Sequence, residues 1–124
     1  MAGEIQGLAR LAVASGAITI GLNSSKAFNI AADGKKVGKN QALSTSAADI
    51  DIGDMTWSET IALMVENASA TSGEDVILLK SATEFAQIPP GGQMLIFPKA
   101  DGTAIQAKSA TGTPSINVVA AKRA

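Results

Sequence analysis

The sequence predicts an all-β protein: an antiparallel β-sandwich, jelly-roll or immunoglobulin-like, built from eight to ten short strands. Three observations lead there. Apolar and polar residues alternate in short stretches from Asp49 to Ala121, and glycine, proline, asparagine or aspartate breaks the pattern every ten or so positions. No helical crossover segment lies between the strand-like stretches, which argues against a parallel sheet.

Taken in order, Ile5 to Ala14 fits either a helical face (Leu8, Leu11, Ala12) or a strand, and two neighbours favour the strand. Ser15-Gly16 is a turn signal, and Ile18, Ile20 and Leu22 alternate just beyond it, so a hairpin is expected. Phe28 and Ile30 alternate before Asp33-Gly34, a tight-turn dipeptide that predicts a second hairpin with Val37 to Leu43 as its return strand. Lysines at 35, 36 and 39 mark that hairpin as a solvated edge. Ile50 and Ile52 against Asp49 and Asp51 make a short half-buried strand closed by Gly53-Asp54.

After Trp57, Ile61 to Val65 is apolar on both faces until Glu66-Asn67, as a central strand should be. Val76 to Leu79 is a buried strand too short for a helix, and Pro89-Pro90-Gly91-Gly92 stops the next element after Ile88. Met94 to Phe97, Ala104 to Lys108 and Ile116 to Ala120 complete the strands, with Asp101-Gly102 as a hairpin signal and Thr111-Gly112-Thr113-Pro114 as a turn.

At 124 residues the chain has room for one domain, 1–124, with residues 1–10 readable as an N-terminal arm. Aromatic residues make up only 3%, so the core is aliphatic and thin. Ten basic against eleven acidic residues give a net charge of -1, which offers a phosphate backbone no long-range attraction, so nucleic acid is not an expected partner. No window reaches the roughly 20 apolar residues of a membrane span, so no membrane partner is expected either. The chain has no cysteine, which removes disulfides and thiolate metal sites and suits synthesis in a reducing cytoplasm. Glu4 and Arg10 interrupt the apolar N-terminus, a poor secretion signal; the sequons at Asn23 and Asn67 matter only on a secretory route.

No reacting centre is expected. With no histidine, a serine nucleophile would need a lysine or an acid as its base, and no Ser-x-x-Lys sequence occurs. Sugar hydrolysis by paired carboxylates would lack stacking platforms, with one Trp and no Tyr. Asp49, Asp51 and Asp54 are of the type calcium favours, but the glycine spacing and sixth ligand of a calcium loop are missing, so they read as exposed strand and turn carboxylates. The expectation is therefore no enzyme, no cofactor and no metal.

Several short elements together resemble small virion structural proteins of tailed bacteriophages: Met1-Ala2-x-Glu4-Ile5, Ile50-Asp51-Ile52-Gly53-Asp54, Val65-Glu66-Asn67, the stretch from Phe85 through Pro-Gly to Phe97-Pro98, and Ile105-Gln106-Ala107-Lys108. The resemblance spans most of the chain. It implies a β-sandwich subunit of the head exterior or tail, without catalytic residues. A head decoration protein would bind the major capsid protein and copies of itself in a symmetric homo-oligomer on the virion; the alternative is a tail or fibre module for host receptor binding. Met55 to Thr60 lacks a glycine expected at the entry to the central strand, and the loop after Asn67 is built from Ala and Ser instead of larger polar residues. Candidate partner-contact residues are Met1, Ala2, Glu4 and Ile5 in the N-terminal segment and Lys35, Lys36 and Lys39 at the basic tip. The N-terminal segment reads either as an arm adding backbone hydrogen bonds to a neighbour's sheet edge or as the first strand of its own sandwich.

Overall fold

The computed structural model describes the backbone of residues 4–15, 18–29 and 36–122, and the side chains of 37–122. Its strands are β1 (Glu4–Ser15), β2 (Ile18–Asn29), β3 (Lys36–Ala42), β4 (Ala48–Asp49), β5 (Thr60–Asn67), β6 (Val76–Lys80), β7 (Thr83–Ile88), β8 (Gln93–Ile96), β9 (Ile105–Ser109) and β10 (Ser115–Lys122). The only helical element among the described residues is a 3-10 turn, Trp57–Glu59. There the Glu59 carboxylate accepts a hydrogen bond from the Thr56 N–H at 3.0 Å, as a Thr-x-x-Glu sequence allows.

Eight strands form two four-stranded antiparallel sheets packed as a sandwich, in the orders β3-β10-β5-β8 and β4-β9-β6-β7. The connectivity is that of a jelly roll. The first four strands pair with the last four in reverse order, β3 with β10, β4 with β9, β5 with β8 and β6 with β7, as in one long hairpin. Rolling that hairpin adds the pairs β10–β5 and β9–β6, which close the sheets. β5 and β6 are interior strands, as their apolar faces require.

The core lies between the sheets. Leu63 and Val65 of β5 and Ile116, Val118 and Ala120 of β10 meet Val76 and Leu78 of β6 and Ile105 and Ala107 of β9, all buried. Ile50 and Ile52 join them while Asp49 and Asp51 stay exposed, so the alternation in the sequence is realised. β4 itself is only two residues long, and the Ile50 N–H to Ile105 carbonyl bond of 3.0 Å continues its pairing.

Two turn signals have a different outcome from the one expected. Among the described residues β3 pairs with β10 and β2 with β1, not β2 with β3 as expected, and the expected turn Asp33-Gly34 lies outside the described residues. Asp101-Gly102 lies between β8 and β9, which belong to different sheets, so it carries the chain across the sandwich. A turn dipeptide sets local geometry but not which sheet the next strand joins. Conversely, the hairpin between β6 and β7 turns at Ser81-Ala82, both with positive φ (52° and 65°), without glycine or asparagine.

β1 and β2 pair along their full 12-residue length and form a sheet of their own. Among the described residues neither strand pairs with either four-stranded sheet.

Candidate interaction surfaces

The polar chemistry of the sandwich is consumed by structure. Asn67, fully buried at the end of β5, donates from Nδ2 to the carbonyls of Glu74 (2.8 Å) and Ile88 (3.0 Å) and accepts at Oδ1 from the Ser69 N–H (3.0 Å). Its backbone binds the Pro-Pro-Gly-Gly turn, to Gly92 O and from Gly91 N, at 2.9 Å each. One side chain thus ties together the 68–75 loop and the ends of β5 and β7. Its amide has no freedom to take a glycan. The Asp51 carboxylate accepts from the Gly53 N–H at 2.9 Å, and the Asp49 carboxylate from Gln106 Nε2 at 3.0 Å. No group of three or more His, Cys, Asp or Glu among the described residues is placed to hold a metal ion.

Three surface features remain. The first is a groove of about 370 Å³ lined by Phe85, Ile96, Phe97, Pro98 and Ile105, with Lys80, Thr83 and Lys99. It opens where edge strands β7 and β8 face each other. A β-bulge helps make it: Leu78 pairs with Ala86 and Leu79 with Glu84, so Phe85 is the extra residue. Phe85 and Phe97 are 46% and 52% exposed. Lys80 is bound to Asp101 at 2.9 Å, and Asp101 is held below its ordinary value by the Thr103 N–H first and by Lys80 second.

The second is the outer face of the β3-β10-β5-β8 sheet, which carries two contrasting rows. Asn40, Asn117, Glu66 and Gln93 stand side by side across all four strands. They form a continuous hydrogen-bonded ladder, with Asn40 donating to Asn117 (2.8 Å) and Asn117 and Gln93 donating to the two Glu66 oxygens (2.9 and 2.8 Å). These donors, Asn117 foremost, lower the Glu66 pKa. The neighbouring row is Gly38, Val119, Met64 and Leu95, with no polar side chain. Val119 is 52% exposed, and a Cβ added at Gly38 would meet nothing within 4 Å.

The third is the β1–β2 hairpin. Its register puts Ile5 opposite Phe28, Gly7 opposite Lys26, Ala9 opposite Ser24, Leu11 opposite Leu22, Val13 opposite Ile20 and Ser15 opposite Ile18, all on one side of the ribbon. The other face carries Glu4, Gln6, Arg10, Thr19, Asn23, Ser25 and Asn29, with Leu8 as its one large apolar residue.

Of the residues expected to contact a partner, Glu4 and Ile5 sit at the open end of this hairpin, opposite Asn29 and Phe28. Lys36 and Lys39 lie in edge strand β3, opposite Ala121 and Val118. Three positions apart on a strand, they belong to opposite faces and form no single basic patch. Met1, Ala2 and Lys35 lie outside the described residues. The sequence reading missed the Val119 row, whose signal was Met64 and Val119 at outward positions of β5 and β10, next to the polar Glu66 and Asn117.

No protein-family profile, curated protein or solved structure matches the chain. Among the described residues no helix is long and apolar enough to cross a membrane.

Proposed function

We propose that the protein is a virion structural subunit, a decoration or cement protein bound in many symmetric copies to the outside of a phage head. One observation carries this reading: Phe85, Phe97 and Val119 stand about half exposed on the sandwich surface, while nearby carboxylates and amides are engaged in turns and in the Asn40–Asn117–Glu66–Gln93 ladder. Such a surface is suited to packing against other protein, and the sequence resemblance to phage virion proteins supplies the setting. The partners are then the major capsid protein and further copies of this chain. Each attachment contributes modestly, and their number makes the shell hard to open. Fold alone does not choose this role, since jelly rolls serve many functions.

The Phe85–Phe97 groove favours a second reading, a tail or fibre module in which the groove receives part of a host receptor. Counting copies per intact particle by quantitative mass spectrometry separates the two. A number that scales with the capsid lattice supports the decoration role; a small number set by tail symmetry supports the module; absence from purified particles overturns both.

A further inference from the structure

We infer that the groove at the β7–β8 edge takes an extended segment of a partner protein, which lies along β8 as a fifth strand, sets one large apolar side chain against Phe85 and Ile96, and places a carboxylate beside Lys99. Neither head nor tail is needed for this contact, which goes beyond both proposed roles and involves only this chain and a peptide.

The four edges of the sandwich are not alike. β3 carries Lys36 and Lys39, and β4 is only two residues long; charge and shortness are the usual guards against an added strand. Edge strand β8 has no charged residue, and β7 carries one, Glu84, which is tied to Lys108 at 2.7 Å. Among the described residues no strand pairs with the outer side of either. β8 therefore offers backbone donors and acceptors to an extended chain.

On an added strand every second side chain points between the sheets, the side taken in β8 by Met94 and Ile96, which lie opposite the buried Val65 and Leu63. There the groove of about 370 Å³ begins. That is the lower end of the range for ligand pockets, which suits a large side chain or two. Two local distortions shape its wall. The β-bulge makes Phe85 the extra residue, with its ring 46% exposed, and bulges commonly re-aim a side chain beside a site. The Ser81-Ala82 turn, held at positive φ without glycine, joins Lys80 to Thr83, both in the groove wall. Backbone held in this region collects at binding sites.

Charge selects the occupant. The polar residues of the wall are Lys80, Thr83 and Lys99, and no carboxylate lines it. Lys80 is bound to Asp101 at 2.9 Å. Lys99 is exposed and acts on Asp101 only through space; its ammonium group has no hydrogen bond or ion pair of its own among the described residues. Two lysines against one aspartate leave the mouth positive, so a segment with an Asp or Glu near its apolar anchor is preferred to one with a lysine there.

The test is selection of random twelve-residue peptides on the immobilised full chain, followed by fluorescence anisotropy of the enriched peptides with the chain in solution. Enriched sequences should alternate, with a Phe, Trp, Leu or Ile at one position and an Asp or Glu within three residues of it. Phe85→Ser should weaken their binding by about tenfold or more. Lys99→Glu should weaken it by a similar factor and reverse the preference when the peptide's acid is replaced by lysine. Both positions are exposed, so the circular dichroism spectrum should not change. A saturating peptide should slow amide exchange in β8 and leave β3 as it was. The proposal is overturned if no sequence is enriched, if the enriched peptides bind Phe85→Ser as tightly, if they bind without an acid, or if protection appears at β3 instead. A full chain that self-associates and is released as single chains by Phe85→Ser also overturns it, since the occupant is then a second copy. The particle count is independent of all these outcomes and tests the decoration and tail readings separately.

Discussion

The jelly roll and the β1–β2 hairpin are written in the same alternating pattern, yet they differ in what each strand face meets. In β5 and β10 the inward residues Leu63, Val65, Ile116 and Val118 find β6 and β9 across the sandwich and are buried. In the hairpin the equivalent face, Leu11, Val13, Ile20 and Leu22, is matched strand to strand by register, but no second sheet pairs with its strands among the described residues. Alternation therefore specifies a strand and its apolar side; stability comes only when another layer covers that side.

The largest effect should come from Leu63→Ala. Truncating a fully buried residue of an interior strand is expected to cost about 4 kcal/mol in denaturant unfolding, within the usual range for such cavities. Leu11→Ala should leave the same cooperative transition in place in dilute protein. Equal losses at both positions would erase the distinction between the two regions.

Asn67→Ala comes next, at about 3 kcal/mol, because it strands two carbonyls and one N–H at the end of the sandwich. Asn67→Asp should recover little of that loss, since a carboxylate cannot donate to the Glu74 and Ile88 carbonyls. A midpoint unchanged in urea by either substitution would show that the loop is held by other contacts.

Replacing Ser81-Ala82 by Asn-Gly should raise stability by about 1–2 kcal/mol, since both positions have positive φ that those residues tolerate better. This gain belongs to the sandwich alone, and a lower melting temperature would contradict the turn geometry.

The smallest effect concerns pH. Hydrogen bonds from Asn117 and Gln93 depress the folded pKa of Glu66, so its contribution is present above the unfolded glutamate value and is lost as pH falls through the lower folded one. Wild type and Glu66→Gln should differ slightly at neutral pH and converge below the ordinary carboxylate range. A difference that grows in acid would have the wrong sign for this ladder.

Much of the sandwich was legible in the sequence. Ile61 to Val65 and Val76 to Leu79 are apolar on both faces, and such runs have nowhere to go but the interior of a sheet. Asp101-Gly102 was legible as a turn but misleading as a hairpin, because sheet membership depends on how the long folded ribbon rolls up, a non-local property. Ser81-Ala82 carried no signal: the pairing of Val76–Lys80 with Thr83–Ile88 holds it in a conformation its residues do not prefer. Asn67 looked like a strand end or a sequon, and its bonding role emerges only when the Pro-Pro-Gly-Gly turn is brought beside it. The exposed apolar row of Val119, Met64 and Leu95 was the least legible. Charge drew attention to the lysines, whereas the exposed apolar row depends on which strands are neighbours.

Hydrogen exchange of backbone amides, followed by mass spectrometry, tests most directly whether the sandwich is a cooperative unit apart from the hairpin. Amides of β5, β6, β9 and β10 should be protected to the same degree, while those of β1 and β2, which pair only with each other among the described residues, should exchange faster. Protection of the hairpin that equals that of the sandwich would contradict the account.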